Sequence, residues 1–258
     1  MNEVKIVRIA KRVAGVAKRC SIQYLVVVGT VLLGFICVRS VPAQKILKQT
    51  GFEDHAVGEK EDTFQVSIDN VKTGKKSLAI FFKEQGRLRM LPYKLETDES
   101  IVSVEFWVYI ERGKQSFAIS VHSAEEPFDN DAGGPYVDWH GSIARCHVHH
   151  GNPWRKIIDF PVNRWNYVRI VSNFEKNLFD FYTGDSREAA LASQPKRNLP
   201  FQDAALAPRP KWFIFLAWAM TARGYVDDLL IYEGEEPVSL AVEPTAKLTT
   251  LWGRLKRE

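Results

Sequence analysis

Two acidic pairs lie far apart in the chain: Glu53-Asp54, after Gly51-Phe52, and Asp227-Asp228, inside Gly224-Tyr225-Val226-Asp227-Asp228-Leu229-Leu230-Ile231-Tyr232. Carboxylates are poor strand formers, so an acidic pair inside an otherwise apolar strand, answered by another pair at the far end of the same region, implies that the two ends meet around a cation. Leu229 and Ile231 share a side of the strand with Asp227. If they enter the core, Asp227 enters with them and needs a cation or hydrogen-bond donors there, while Asp228 faces outward. The alternative is a solvated acidic edge that discourages strand addition.

A second constellation follows from period-two spacing. Glu105, Trp107 and Tyr109 share one side of a run, Ser120 and His122 one side of the next, and Arg145, His147 and His149 one side of a third. Read as one face, they offer aromatic plates flanked by polar groups, which suits a sugar ring that packs its C–H surface on an aromatic face and needs donors and acceptors for its hydroxyls. Tyr136, Trp139, His140 and Trp154 are expected in loops nearby. The competing expectation is that the connection over 189–209 covers Trp107 and Tyr109. His147 and His149 at i and i+2, about 7 Å apart on a strand face, with His122 on a neighbouring strand, also match two ligands of a zinc or copper ion. The sequence fixes no third ligand. Trp165 and Trp212 fall where alternation places core residues. No catalytic residue is assigned: Glu96-Thr97-Asp98-Glu99 lacks the spacing of paired glycosidase carboxylates, and there is no nucleophile elbow.

The elements that must position these residues are short strands. Apolar alternation with turn signals between the runs predicts strands near 64–68, 77–82, 101–110, 116–122, 143–149, 157–160, 165–172, 178–183, 211–219 and 225–232. Val104, Phe106, Val108 and Ile110, then Phe117, Ile119 and Val121, then Ala144, Cys146 and Val148 form the core faces. Residues 186–211 carry no sheet period and read as a long connection with one helical turn. The fold class is all-β, a two-sheet antiparallel jelly-roll sandwich.

Phe52-Glu53, Gly74-Lys75-Lys76-Ser77-Leu78, Trp165-Asn166-Tyr167-Val168-Arg169-Ile170, Phe179-Asp180-Phe181-Tyr182-Thr183-Gly184 and Tyr225-Val226-Asp227-Asp228-Leu229 occur in that order. On these pieces, residues 51–233 resemble the concanavalin A-like jelly rolls, which include laminin-G-like domains and many carbohydrate-binding modules. The resemblance implies a structural calcium held by Glu53, a backbone carbonyl near the Gly74 turn and one or both of Asp227 and Asp228. That ion tolerates irregular geometry among six to eight oxygens. It also implies a glycan site on a concave sheet, with Glu105, Trp107, Tyr109, His122, Arg145, His147, His149 and Trp139 as ligand-binding residues. A structural or adhesive surface protein and a glycoside hydrolase or lyase are the rival readings.

The first 43 residues are of another kind. Lys5, Arg8, Lys11, Arg12, Lys18 and Arg19 precede an almost uncharged run from Ser21 to Val38, and Val41-Pro42-Ala43 offers small residues for a signal peptidase. Residues 1–43 are expected to be an export leader cleaved after Ala43, or an anchor through residues 21–38. Residues 44–50 follow as a linker and 234–258 as a tail, where Leu248, Leu251, Trp252 and Leu255 mark an amphipathic helix. Beyond the leader stand 28 basic and 30 acidic residues, so the domain lacks the basic excess a nucleic-acid partner requires. Of the three cysteines only Cys146 lies beyond residue 43, leaving no internal disulfide in a cleaved domain.

Overall fold

The computed structural model describes residues 44–58, 60–61, 64–81, 89–112, 115–127, 133–140, 142–147, 154–203, 205, 207–217 and 223–238. The chain divides into the units Met1–Ala43 and Gln44–Glu258, and every described residue belongs to the second. The expected leader, the tail helix and His149 lie outside the described residues.

All ten expected strands are present. They are β3 (Phe64–Ser67), β4 (Ser77–Phe81), β6 (Ile101–Ile110), β7 (Gln115–His122), β9 (Ile143–His147), β10 (Trp154–Asp159), β11 (Trp165–Asn173), β12 (Leu178–Gly184), β14 (Trp212–Ala217) and β15 (Arg223–Glu233). Five more were not expected: β1 (Ile46–Thr50), β2 (Lys60–Glu61), β5 (Arg89–Lys94), β8 (Tyr136–His140) and β13 (Lys196–Pro200). The 44–50 segment, read as a linker, is largely β1. It carries only Ile46 and Leu47 as apolar residues and earns its place through a ladder with β15 from Thr50↔Leu229 to Ile46↔Tyr232. The long connection holds one short helix, α1 (Arg187–Ala192), capped by the Ser186 hydroxyl, which accepts from the Ala189 N–H.

The strands form two antiparallel sheets packed as a jelly-roll sandwich. One sheet has nine strands, ordered β13-β12-β11-β6-β15-β4-β3-β2 with β1 alongside β15, and the other has six, ordered β10-β9-β8-β7-β14-β5. The inner faces interlock through rings: Phe106 of β6 meets Trp139 of β8 edge-on at 5.8 Å and Phe215 of β14 at 6.3 Å. Trp139 also packs on Phe160 at 6.0 Å. Cys146 is a free, buried thiol.

Three expectations are corrected here. Trp139, proposed as a ligand contact from a loop, is fully buried on β8 against the Phe106 and Phe160 rings. Trp165 and Trp212, expected in the core, alternate with the buried Asn166 and Phe213 and lie half-buried on the two outer faces. Finally, the single aromatic and polar face does not exist, because β6 belongs to one sheet and β7 and β9 to the other, so Trp107 and His122 point away from opposite sides of the core.

Truncating a fully buried Trp removes its transfer energy and leaves a cavity. Trp139→Ala is expected to cost about 3–5 kcal/mol in urea unfolding. A loss within about 0.5 kcal/mol, the range of ordinary surface positions, would contradict the core placement.

Candidate functional site

On the outer face of the nine-stranded sheet, register builds rows across the strands: Tyr182, Arg169 and Glu105 form one, and Tyr167, Trp107 and Asp227 the next. Glu105 is almost wholly buried and fully engaged. Its Oε1 accepts from the Tyr232 hydroxyl at 2.6 Å and Arg187 Nη2 at 3.3 Å, its Oε2 accepts from Arg187 Nε at 2.8 Å, and Arg169 Nε stands 3.5 Å away. Arg169 in turn donates to the Tyr232 hydroxyl, the Ser103 hydroxyl and the Glu235 carbonyl. Burial and the Glu105 charge raise the Tyr232 hydroxyl above its ordinary range, with Arg169 opposing. Trp107 lies under the Lys72 ammonium, 3.9 Å from the ring centre, and Tyr109 is flanked by Trp165 and Tyr225 at 5.8 and 6.0 Å. The residues thus do come together, but as a tied-down surface. A polar cavity of about 400 Å³ opens beside it, with Arg169, Tyr182, Asp180 and Arg197 in its lining.

The two acidic segments border one turn, 69–76, which donates to both. Asp228 takes a left-handed backbone, φ 50°, and the ladder with β6 skips from Asp227↔Trp107 to Leu230↔Glu105. This bulge breaks the alternation: Val226, Leu229 and Ile231 face the core, while Asp227 shares the outer face with Trp107. Asp227 is buried nonetheless, because the 69–76 turn folds over it. Its Oδ2 accepts from the Lys72 and Thr73 N–H groups at 3.0 and 3.1 Å and its Oδ1 from the Asp228 N–H at 2.8 Å. Desolvation pushes its carboxyl up to about 6 against the pull of those bonds. Asp228 Oδ1 accepts from the Thr73 hydroxyl at 2.8 Å. Glu53 Oε1 accepts from the Lys75 and Lys76 N–H groups at 2.7 and 2.9 Å, which hold its carboxyl below the usual range. The same turn requires Gly74, with φ 63°, where a Cβ would lie 2.3 Å from Glu53 Oε1.

The outer face of the six-stranded sheet carries the rest. Arg145 and Asp138 are direct neighbours on β9 and β8, and Arg145 Nε donates to Asp138 Oδ2 at 2.6 Å. The guanidinium also lies over the Trp154 ring at 4.0 Å, and Tyr136 meets Trp154 at 5.9 Å. Burial raises the Asp138 carboxyl, partly offset by Arg145. Beside this cluster runs a groove lined by Met90, Ser120, His122, Tyr136, Ile214 and Leu216. The His122 ring is buried, with the Ala124 N–H 3.3 Å from Nδ1 and the Pro127 carbonyl 3.4 Å from Nε2. His147 pairs with Trp154 in the ladder. Among the described residues no three of His, Cys, Asp and Glu converge as a metal-ligand group. Sequence reasoning missed Asp138, Arg169, Arg187 and Tyr232 as partners. The available signal was charge inside an alternating strand: Arg169 stands between the apolar Val168 and Ile170, so it had to share the outer side with a partner.

No protein-family profile and no curated protein matches the chain. Similar solved structures include the calreticulin globular domain of T. cruzi, at 16% identity and TM-score 0.47 over 83% of this chain and 95% of that one. Domain 4 of AbnA, a GH43 extracellular arabinanase from Geobacillus stearothermophilus in complex with arabinotriose, aligns at 15% identity and TM-score 0.40 over 76% and 96% of the two chains. A GH131 beta-glucanase catalytic domain from Podospora anserina aligns at 12% identity and TM-score 0.43 over 76% and 99%. No function passes to this chain from likenesses at that level.

Removing one partner of a buried ion pair strands the other charge. Glu105→Ala is therefore expected to destabilise the domain by about 3–5 kcal/mol, read by chemical unfolding, whereas an exposed ligand contact would cost almost nothing. The Glu53 carboxyl, lowered in the fold, contributes stability above its unfolded pKa of about 4.3 and loses that contribution as pH falls through the folded value. Between pH 6 and pH 3 the wild type should therefore lose more stability than Glu53→Gln. Equal losses would show that the Lys75 and Lys76 bonds carry no weight.

Proposed function

We propose that the domain is an exported, non-catalytic carbohydrate-binding module that holds a glycan on the outer face of its six-stranded sheet. The observation that carries this reading is the Arg145 guanidinium, held between the Trp154 ring and the Asp138 carboxylate beside the groove at Tyr136. A sugar ring can lay its C–H face on Trp154 or Tyr136 while a hydroxyl bonds the Arg145 guanidinium, which the buried Asp138 carboxylate holds in place, and aromatic anchors of this sort lose little side-chain entropy on binding. Asp138 is bound up in its pair with Arg145, which supports positioning rather than acid–base chemistry. Export is supported by the basic and then apolar first 43 residues.

The nine-stranded face supports a scaffold role instead. Glu105 is saturated by arginines and tyrosine, and Trp107 lies beneath Lys72. Binding is accordingly assigned to one face.

Trp154→Ala is expected to weaken oligosaccharide binding by about 1–3 kcal/mol, or roughly 5-fold to 150-fold, with little change in melting temperature. Trp107→Ala, on the opposite face, is expected to leave binding intact. A glycan array followed by calorimetry separates the cases: no ligand for the wild type, or binding lost only with Trp107→Ala, would defeat the assignment.

A further inference from the structure

The turn after β1 aims two backbone carbonyls at one point. Lys76 Nζ donates to the Glu53 carbonyl at 2.6 Å and to the His55 carbonyl at 2.5 Å. Around them, Glu53 Oε1 and Asp227 Oδ2 each accept two backbone N–H bonds, Asp227 Oδ1 accepts a third, and Asp228 Oδ1 accepts the Thr73 hydroxyl. A carboxylate oxygen has two lone-pair sites, so Glu53 Oε1 and Asp227 Oδ2 are both filled by protons of the turn. A calcium ion needs six to eight oxygens at 2.3–2.6 Å. Here the two carbonyls that would serve it face an ammonium, and Glu53 Oε1 and both Asp227 oxygens, which would help neutralise it, are turned to N–H groups. The donor set does not suit the ion that the resemblance implies.

We propose that the Lys76 ammonium is the resident cation of this clasp, and that the domain closes its first and last strands without a metal. One side chain then does two jobs. Its backbone N–H helps hold the Glu53 carboxylate while its ammonium holds the Glu53 and His55 carbonyls, so residues 53–55 are fastened to the 69–76 turn that covers Asp227. An ammonium has three donors and no coordination sphere to complete, so two carbonyls and solvent satisfy it where a divalent ion would be left short.

The test is the melting of the full chain in millimolar calcium chloride and in excess EGTA, with the wild type and Lys76→Met, which keeps the apolar stem and loses the charge. The wild type is expected to melt at the same temperature in both buffers, and Lys76→Met to melt at least roughly 2–4 °C lower in each. A native-state calcium site stabilises in proportion to RT ln(1 + [L]/Kd), so a wild-type melting temperature that rises with calcium and falls with EGTA would overturn the proposal. A Lys76→Met variant that melts with the wild type would overturn it equally. If that variant does not fold, the wild-type comparison alone still decides between ammonium and calcium.

Discussion

The arrangement depends on one break in the last strand. β15 is paired with β6 along almost its whole length, but on its other side it changes partner: Val226↔Leu78 is the last rung with β4 and Leu229↔Thr50 the first with β1. Two residues, Asp227 and Asp228, span the gap. A regular strand would carry one side-chain phase across it and drive either Val226 or Leu229 out of the core. The left-handed Asp228 resets the phase, which is what a bulge does, and Asp, whose short side chain can bond its own backbone, visits that conformation more readily than most residues. Where β4 and β1 part, the Asp228 N–H is met by Asp227 Oδ1 and the 69–76 turn donates to both carboxylates. The acidic pair is thus a consequence of a strand that serves two neighbours, and the clasp is what fills the place where they separate.

The two outer faces are built on different electrostatic terms. On the nine-stranded sheet a buried carboxylate is matched by two guanidiniums and a phenol drawn from β11, α1 and β15. Such a cluster gives little net stability over a hydrophobic one, because desolvation cancels much of the attraction. Its effect is selective: each wrong docking of α1 or of the 234–238 segment leaves a charge unpaired, so it fixes where those segments lie. On the six-stranded sheet, Asp138 and Arg145 are paired once, at the edge of a groove, with an aromatic ring stacked on the guanidinium. There the guanidinium is presented, while the carboxylate that anchors it is buried.

Period two was legible in the sequence wherever the strand was regular, which is why the core faces around Phe106, Ile119 and Ala144 were readable in advance. It does not say which sheet a strand joins. That omission merged Trp107 with His122 and Arg145, residues that the topology sends to opposite sides. Alternation also fails at a bulge, and Asp227 was placed on the wrong side because Leu229 was counted as its neighbour in phase. β8 was missed for another reason. Tyr136-Val137-Asp138-Trp139-His140 puts Tyr, Asp and His on one side and only Val and Trp on the other, too short a run to outweigh the Gly133-Gly134-Pro135 signal before it. The clasp was readable as a meeting of two acidic segments. Its cation was not, because Lys76 looks like a solvated charge until the turn brings the carbonyls to it.

The groove on the six-stranded sheet is held in shape by backbone. A Cβ on Gly134 would lie 1.8 Å from the Val121 carbonyl, so only glycine lets this segment lie flat against β7. From there the Gly134 carbonyl accepts from the Gln202 N–H at 2.8 Å and the Pro135 carbonyl from the Val121 N–H at 3.2 Å. Those bonds fix the wall that Tyr136, His122 and Gln202 present to the groove before any ligand arrives. Preorganisation of this kind lowers the ordering cost of binding rather than adding contacts. The constraint that shapes the wall is therefore steric, set at Gly134, and the aromatic and ionic side chains lie on a surface already in place.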